Sequence, residues 1–223
     1  ALAQQVVIET PLVKGVFSTL GASVYSWIIK PTKPYLHKEE QLVRARYSER
    51  NLATVMRGNR GLLRTDTKLF EVNKSQITLA GGDRPDTLVF TLPLTDQAYY
   101  RETYIFYPDK YLVDILVESE GLEYLTGAAN AIFTWGGGLA PTEEDSAQDH
   151  QYTQASYLMG NTWETFKTSG KKVDEEQAGG TTRWVAQRNK YFLMALVPKT
   201  TAAGVKLNTW PAENYIGKYL SLI

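Results

Sequence analysis

The sequence contains no cysteine among its 223 residues. Thiol catalysis, thiolate metal sites and disulfide bonds are therefore excluded. The absence does not identify a compartment, because a chain of this length buries enough apolar surface to fold in an oxidising space without disulfides. Length and composition suit a single all-β domain, since 14 Tyr and 5 Trp accompany scattered glycine and proline.

Histidine is almost as scarce, with only His37 and His150 in the chain. A serine hydrolase needs a histidine near a nucleophile elbow, and no G-x-S-x-G motif lies near either residue. Two distant histidines without H-x-x-x-H spacing also make a poor zinc site. We expect both at the surface, and the sequence predicts no enzyme, no metal and no cofactor.

The sequence has no excess of either charge. Lys+Arg and Asp+Glu both number 24, so no global field favours nucleic acid or an anionic bilayer. The arginines concentrate between Arg44 and Arg64, where Glu49 is the only acid. This stretch lacks the aromatic platform of a nucleic-acid site, so a solvated loop with charged edge strands is predicted for residues 35 to 64.

No apolar run approaches the roughly 18 residues of a membrane-spanning helix. The first residues, ALAQQVV, lack the basic region and apolar core of a signal peptide. The abrupt ends suggest a piece of a longer protein. The apolar residues instead fall in short runs bounded by glycine and proline, which is typical of strands.

The clearest strand pattern is the segment from Tyr99 to Glu118, which predicts a hairpin around Pro108-Asp109-Lys110. A period of two places its apolar side chains on one face of each strand. Those side chains are Tyr100, Tyr104 and Phe106 in the first strand and Tyr111, Val113, Ile115 and Val117 in the second.

The stretch from Trp184 to Pro198 predicts two buried strands, although periodicity alone also fits a buried helix segment. We place the strands at 184–186 and 191–197, joined by the polar link 187–190. Gly179-Gly180 reads as a turn before them, and Trp163 and Trp184 are expected in the core.

One candidate binding site is Trp135 followed by Gly136-Gly137-Gly138. No phosphate-loop lysine or Rossmann spacing follows, so the glycines form either a tight turn or the rim of a cleft with Trp135 as a stacking surface. The acidic residues after it lack calcium-loop spacing and read as a solvated loop. They are Glu143, Glu144, Asp145 and Asp149.

The last residues show helical spacing, with apolar residues recurring at intervals of three and four. The sequence therefore predicts a domain over 1–211 and the start of a helical segment over 212–223. We expect the tail to pack on the domain or approach a bilayer through Tyr215, Ile216, Tyr219 and Leu220.

Four stretches together resemble the large periplasmic domain of the YidC membrane protein insertases of Gram-negative bacteria. They are VVIETPLVKGVFSTLGASVYSWIIK near the N-terminus, the hairpin from Tyr100 to Val117, FTWGGGLAPTEED, and WVAQRNKYFLMALVP. Their order is preserved over most of the chain, and the set is more specific than any single motif.

The resemblance implies an all-β, antiparallel β-super-sandwich like that of galactose mutarotases, with a short C-terminal helical tail. It also implies a non-enzymatic accessory domain with chaperone character, at the periplasmic face of the inner membrane. In the full-length multi-pass protein, the expected partners are Sec translocon components and nascent membrane proteins. The alternative is a carbohydrate-binding or mutarotase-like protein, suggested by the aromatic and acidic stretch from Trp135 to Asp149.

Overall fold

The computed structural model describes residues 2–32, 36–44, 51–127, 130–142, 152–166, 174–212 and 215–222, with side chains described up to Thr209. A short helix α1 (Leu122–Thr126) and a 3₁₀ turn (Thr65–Thr67) accompany the strands. The strands are β1 (Gln5–Glu9), β2 (Val13–Ser18), β3 (Ser23–Ile29), β4 (Glu40–Val43), β5 (Asn51–Arg57), β6 (Leu62–Arg64), β7 (Glu71–Val72), β8 (Gln76–Thr78), β9 (Asp86–Thr95), β10 (Ala98–Phe106), β11 (Val113–Glu120), β12 (Ile132–Trp135), β13 (Gln154–Met159), β14 (Thr162–Phe166), β15 (Glu175–Arg188), β16 (Leu193–Leu196), β17 (Ala202–Ala212) and β18 (Tyr215–Leu222).

These strands form three sheets. The first has the order β4-β3-β2-β1-β8, and the second β11-β10-β9-β7. The third runs β14-β13-β15-β17-β18-β12-β5-β6, and β16 pairs with β15 beside this path. Pairing is antiparallel apart from β1 with β8, so the all-β antiparallel prediction is confirmed.

Strand β10 shows why the second sheet forms. Its nine residues alternate between buried and half-buried positions without interruption, as a strand with one face on the core requires. Tyr100, Tyr104 and Phe106 all face inward, as the sequence predicts. Glu102 shares their face and is fully buried, which the apolar pattern did not indicate.

The core joins the three sheets through aromatic and aliphatic side chains. The ring of Phe17 on β2 lies 4.9 Å from Tyr104 on β10 and 6.0 Å from Phe90 on β9, between ring centroids. Val205 and Leu207 on β17 bring the third sheet into the same cluster. Each such fully buried side chain contributes about 1.5–3 kcal/mol to folding.

The predicted C-terminal helix is wrong. Residues Tyr215–Leu222 form strand β18, which pairs with β17 on one side and β12 on the other. Strand β17 (Ala202–Ala212) also crosses the predicted boundary between residues 211 and 212. A spacing of three and four over so few residues does not nucleate a helix, whereas two neighbouring strands supply backbone partners.

Three other local predictions are corrected. Gly179-Gly180 lies inside β15, where the register with β17 shifts between Gly179 and Thr182, so it is a bulge and not a turn. Trp163 is 65% exposed because β14 is an edge strand, and its ring stacks edge-on against half-buried Trp184. Within the predicted loop with charged edge strands at 35–64, β4 and β6 do lie at sheet edges, but residues Asn51–Arg57 form the interior strand β5.

Strand β11 forms the second strand of the hairpin as predicted, but its apolar face is not fully buried. It is the last strand of the second sheet, and its apolar residues are half-buried or exposed, with Val117 at 45%. Tyr111 lies before the strand and is 51% exposed. An edge strand with exposed apolar side chains needs an explanation.

Candidate functional site

Trp135 ends β12 and precedes a buried glycine turn. Its indole Nε1 donates to the Gly138 carbonyl oxygen at 3.2 Å, and only 6% of the residue is exposed. The Gly137 amide donates to Asn51 Oδ1 at 2.6 Å, and Gly138 has a φ of 69°, which favours glycine. The glycines thus form a buried bend that a hydrogen bond ties to Asn51 of β5, and the Trp135 side chain is buried.

Trp135 is one of the residues that line a large cavity. The cavity has a volume of about 1060 Å³, at the upper end of the range usual for ligand sites. Its walls come from the first sheet, from edge strand β11 of the second sheet, and from β16. Among the apolar side chains that line it are Trp27, Ile29, Leu42, Ile115, Trp135 and Met194.

The mouth of this cavity carries four large exposed apolar side chains. Tyr111 and Leu112, before β11, are 51% and 55% exposed, and Tyr191 and Leu193, at the start of β16, are 61% and 62% exposed. Single exposed apolar residues are ordinary, but a group of them around an apolar cavity marks a binding surface.

Charged groups at the cavity are balanced. Lys38 and Glu40 both line it, and their charges pair with Nζ 3.1 Å from Oε1. On the β11 side, Lys199 Nζ lies 3.3 Å from Asp114 Oδ1. Asp114 also accepts a hydrogen bond from the Tyr107 hydroxyl, which with Lys199 holds the pKa of its carboxyl below the usual value. Among the described lining residues, the charges of Lys38 and Glu40 therefore compensate each other.

The β15–β16 hairpin forms one wall, and Asn189 fixes its turn. Asn189 Oδ1 accepts from the amides of Tyr191 and Phe192 at 3.1 and 2.8 Å. Asn189 Nδ2 donates to the Ala140 carbonyl oxygen at 3.3 Å, which ties the hairpin to the segment after the glycine turn. Asn189 is 3% exposed, so these contacts are shielded from water.

Gln187 is an unusual member of the same wall. It is fully buried, and neither its Oε1 nor its Nε2 has a hydrogen-bond partner among the residues that the structure describes. It faces the same side of the sheet as Met194, its cross-strand partner, which lines the cavity. Leaving an amide unpaired in the interior costs about 1–3 kcal/mol.

A second buried polar group lies in the core next to the cavity. Glu102 is completely buried, and burial raises the pKa of its carboxyl to about 8 despite hydrogen bonds from the Tyr100 and Tyr104 hydroxyls. Tyr104, whose hydroxyl contacts the Glu102 carboxyl, lines the cavity, but Glu102 does not. The carboxyl is enclosed in the core, where the two tyrosine hydroxyls satisfy its oxygens.

The other sequence candidates contribute no site in the described part of the chain. His37 lines the cavity edge, while His150 and the acidic residues Glu143, Glu144, Asp145 and Asp149 lie outside the described residues. Within the described ranges, no cluster of histidine, aspartate and glutamate can hold a metal ion. No helix among those residues has the length and apolarity needed to cross a membrane.

Comparison with known families gives a match over almost the whole chain. A family model described as the YidC periplasmic domain matches residues 5–222. The chain belongs to the YidC periplasmic domain family. The match includes β18, so the segment predicted as a helical tail is part of the family domain.

Relatives of this YidC domain are whole insertases. The chain is 28% identical to "Membrane protein insertase YidC" of Chlorobaculum parvum over 213 residues, and 30% identical to the protein of that name from Chlorobium luteolum over 208. These alignments cover 92% and 91% of the chain but 35% of each relative. The chain thus spans about a third of the length of these relatives.

A solved structure also resembles the domain. It is a galactose mutarotase related enzyme from Lactobacillus acidophilus, 12% identical, with a TM-score of 0.49 over 98% of this chain and 85% of that one. A likeness at this level carries no argument about activity.

The sequence identified Trp135, which lines the cavity, but did not predict the cavity itself. Ile29, Ile115 and Met194 are far apart in sequence, and only the packing of three sheets brings them together. A usable signal did exist: Tyr111-Leu112 and Tyr191 are apolar residues in turn positions, where polar residues are usual. Ligand binding by Trp135 stays a prediction.

Proposed function

We propose that this domain is a non-enzymatic accessory domain that supports the insertion and folding of inner-membrane proteins from the periplasmic face. The observation that carries the proposal is the apolar cavity with its exposed apolar mouth. Proteins destined for a bilayer expose apolar segments before they insert, and such segments bind apolar surfaces by releasing ordered water. The names of the relatives support the connection to insertion.

Nascent membrane proteins are the partners that this cavity fits best. Contact with Sec translocon components stays a prediction from the resemblance, because no surface among the described residues singles it out. The same holds for an approach of Tyr215, Ile216, Tyr219 and Leu220 to the bilayer. The carbohydrate-binding alternative is not favoured, because the cavity walls are mainly aliphatic and aromatic and its principal charges are paired.

Two substitutions at the mouth test the proposal in the full-length insertase. Leu112→Asp with Leu193→Asp places two charges where an apolar partner would enter, at positions already exposed enough to tolerate them. We expect the rate of insertion of a multi-spanning protein into proteoliposomes to fall by about tenfold, the loss that ~1.4 kcal/mol of binding produces.

The matched control is Tyr124→Asp with Val197→Asp. These two residues are 73% and 66% exposed and do not line the cavity. The control protein should insert substrate at the wild-type rate. Equal rates for the wild type and the cavity variant, with both folded, would show that the cavity has no part in insertion.

A further inference from the structure

Strand β16 contributes to the cavity wall, and one of its edges is unpaired among the described residues. All four residues of β16 line the cavity. Among the described residues, β16 pairs with β15 alone, so one edge of the strand has no sheet neighbour there. An unpaired edge presents a row of amides and carbonyls to an incoming chain.

The hairpin register shows which backbone groups point outward. The Asn189 amide donates to the Phe192 carbonyl oxygen at 3.0 Å, so these two residues form a hydrogen-bonded pair. Bonded and non-bonded pairs alternate in an antiparallel ladder. Met194 and Leu196 therefore bond to β15, whereas the N–H and C=O groups of Leu193 and Ala195 point away from it.

We propose that the cavity binds an extended apolar peptide segment that pairs as an added strand with Leu193 and Ala195 of β16. Two outward residues along a strand are about 6.6–6.8 Å apart, which is the spacing of matching groups in a second strand. Alternate side chains of the peptide then enter the apolar cavity. This inference rests on the proposed function and names the chemistry of its partner.

The opposite side of the cavity fits the same ligand. Strand β11, which contributes Val113 and Ile115 to the lining, pairs only with β10 among the described residues. The ion pair of Lys199 with Asp114 shows that the chain just after β16 lies close to β11. A bound strand would lie between two sheet edges, which explains why β11 carries exposed apolar side chains.

A lipid chain fits these features less well. An acyl chain fills apolar volume but offers no hydrogen bonds to the outward amides of β16. The lysine at the cavity, Lys38, is already paired with Glu40 and does not select an anionic headgroup.

The test uses a capped peptide of alternating leucine and threonine residues with lysine at both ends, and the same peptide N-methylated at every amide between the lysines, so that neither of its edges can donate to β16. Both are titrated into the 223-residue chain by calorimetry. We expect the plain peptide to bind and the N-methylated peptide to bind at least about tenfold more weakly, because it cannot donate to the strand edge. No binding, or equal binding of the two peptides, would overturn the inference.

Substitution at β16 gives the reciprocal test. Ala195→Pro removes one outward N–H without touching the ladder to β15, a position where an edge strand tolerates proline. We expect it to weaken peptide binding at least about tenfold, while Ala195→Val, which keeps the N–H, stays within about twofold of wild type. If Ala195→Pro fails to fold, the comparison of the two peptides on the wild-type chain still decides.

Palmitate separates a lipid from a peptide. Weak or absent palmitate binding is expected, and palmitate binding that excludes the peptide and ignores Ala195→Pro would contradict strand addition. The proposed function is judged separately, by the Leu112→Asp and Leu193→Asp variant. If insertion depends on these two residues but the peptide binds equally well without its backbone donors, strand addition is wrong and the proposed function stands.

Discussion

At the scale of single residues, Glu102 has the most unusual environment. The Tyr104 hydroxyl has one proton but two acceptors, the Ala22 carbonyl oxygen at 3.3 Å and Glu102 Oε2 at 2.5 Å. Both contacts become hydrogen bonds if Glu102 is protonated and donates to Tyr104. Tyr100 then donates to Glu102 Oε1 at 2.8 Å, while its oxygen accepts from Thr54 at 2.6 Å. The hydrogen-bond pattern of Tyr104 therefore favours a protonated Glu102, in agreement with the raised pKa of its carboxyl.

The raised pKa predicts the pH dependence of stability. Glu102 has a pKa of about 8 when folded against a reference value of 4.5, so the folded state binds more protons between these limits. Its stabilisation is fully present below pH 4.5 and is lost as the pH rises to about 8. We expect the free energy of unfolding to fall over this window by up to ~1.4 kcal/mol per pH unit.

Glu102→Gln should remove this slope in urea unfolding measured from pH 5 to 8, because the amide imitates the neutral acid. Glu175→Gln is the control, since Glu175 is an exposed acid paired with Lys206. The pKa of Glu175 is lowered by its contacts, so its contribution is present above its unfolded pKa and is lost only at lower pH. A slope that persists in Glu102→Gln would contradict a neutral Glu102.

At the scale of elements, the β15–β16 hairpin forms one wall of the cavity, and the side chain of Asn189 stabilises the turn of this hairpin. Asn189→Ala leaves the amides of Tyr191 and Phe192 and the Ala140 carbonyl without their side-chain partner. We expect a loss of about 1–3 kcal/mol in the free energy of unfolding, measured by urea denaturation. The neighbouring Arg188→Ala, at an exposed position, should change it by at most about 0.5 kcal/mol. Similar losses in the two variants would mean that Asn189 does not organise the turn.

The hairpin and the tail also show what local sequence can predict. The prediction of two strands is confirmed, because an apolar run interrupted by polar residues has few other solutions. The predicted link at 187–190 is displaced: Gln187 and Arg188 continue β15, and the link covers residues 189–192. The first strand extends back to Glu175 across two glycines, since its partner β17 overrides the local turn preference. The helix predicted for the tail is wrong for the same reason. Strand β18 is stabilised by pairing with β17 and β12, and the local spacing of apolar residues does not reveal these partners.

At the scale of the whole molecule, the family and the all-β antiparallel class were predictable, and the candidate site was not. Strand patterns and four ordered stretches carry the family signal along the chain. The cavity is a property of three sheets, whose edge strands β11 and β16 come together only in the folded domain. Strand β18 lies inside the third sheet, so removal of residues 212–223 would disrupt the domain and not merely a linker.

The central claim is that segments of inserting proteins enter the cavity between β11 and β16. The most direct measurement is photo-crosslinking in the full-length insertase during insertion of a radiolabelled membrane protein. A photoreactive residue at Leu193, which lines the cavity, is compared with one at Val197, which is equally exposed outside it. The account predicts crosslinks to the inserting chain from position 193 that exceed those from position 197 by about tenfold, as expected for specific binding. Equal yields from the two positions, or none from either, would contradict it.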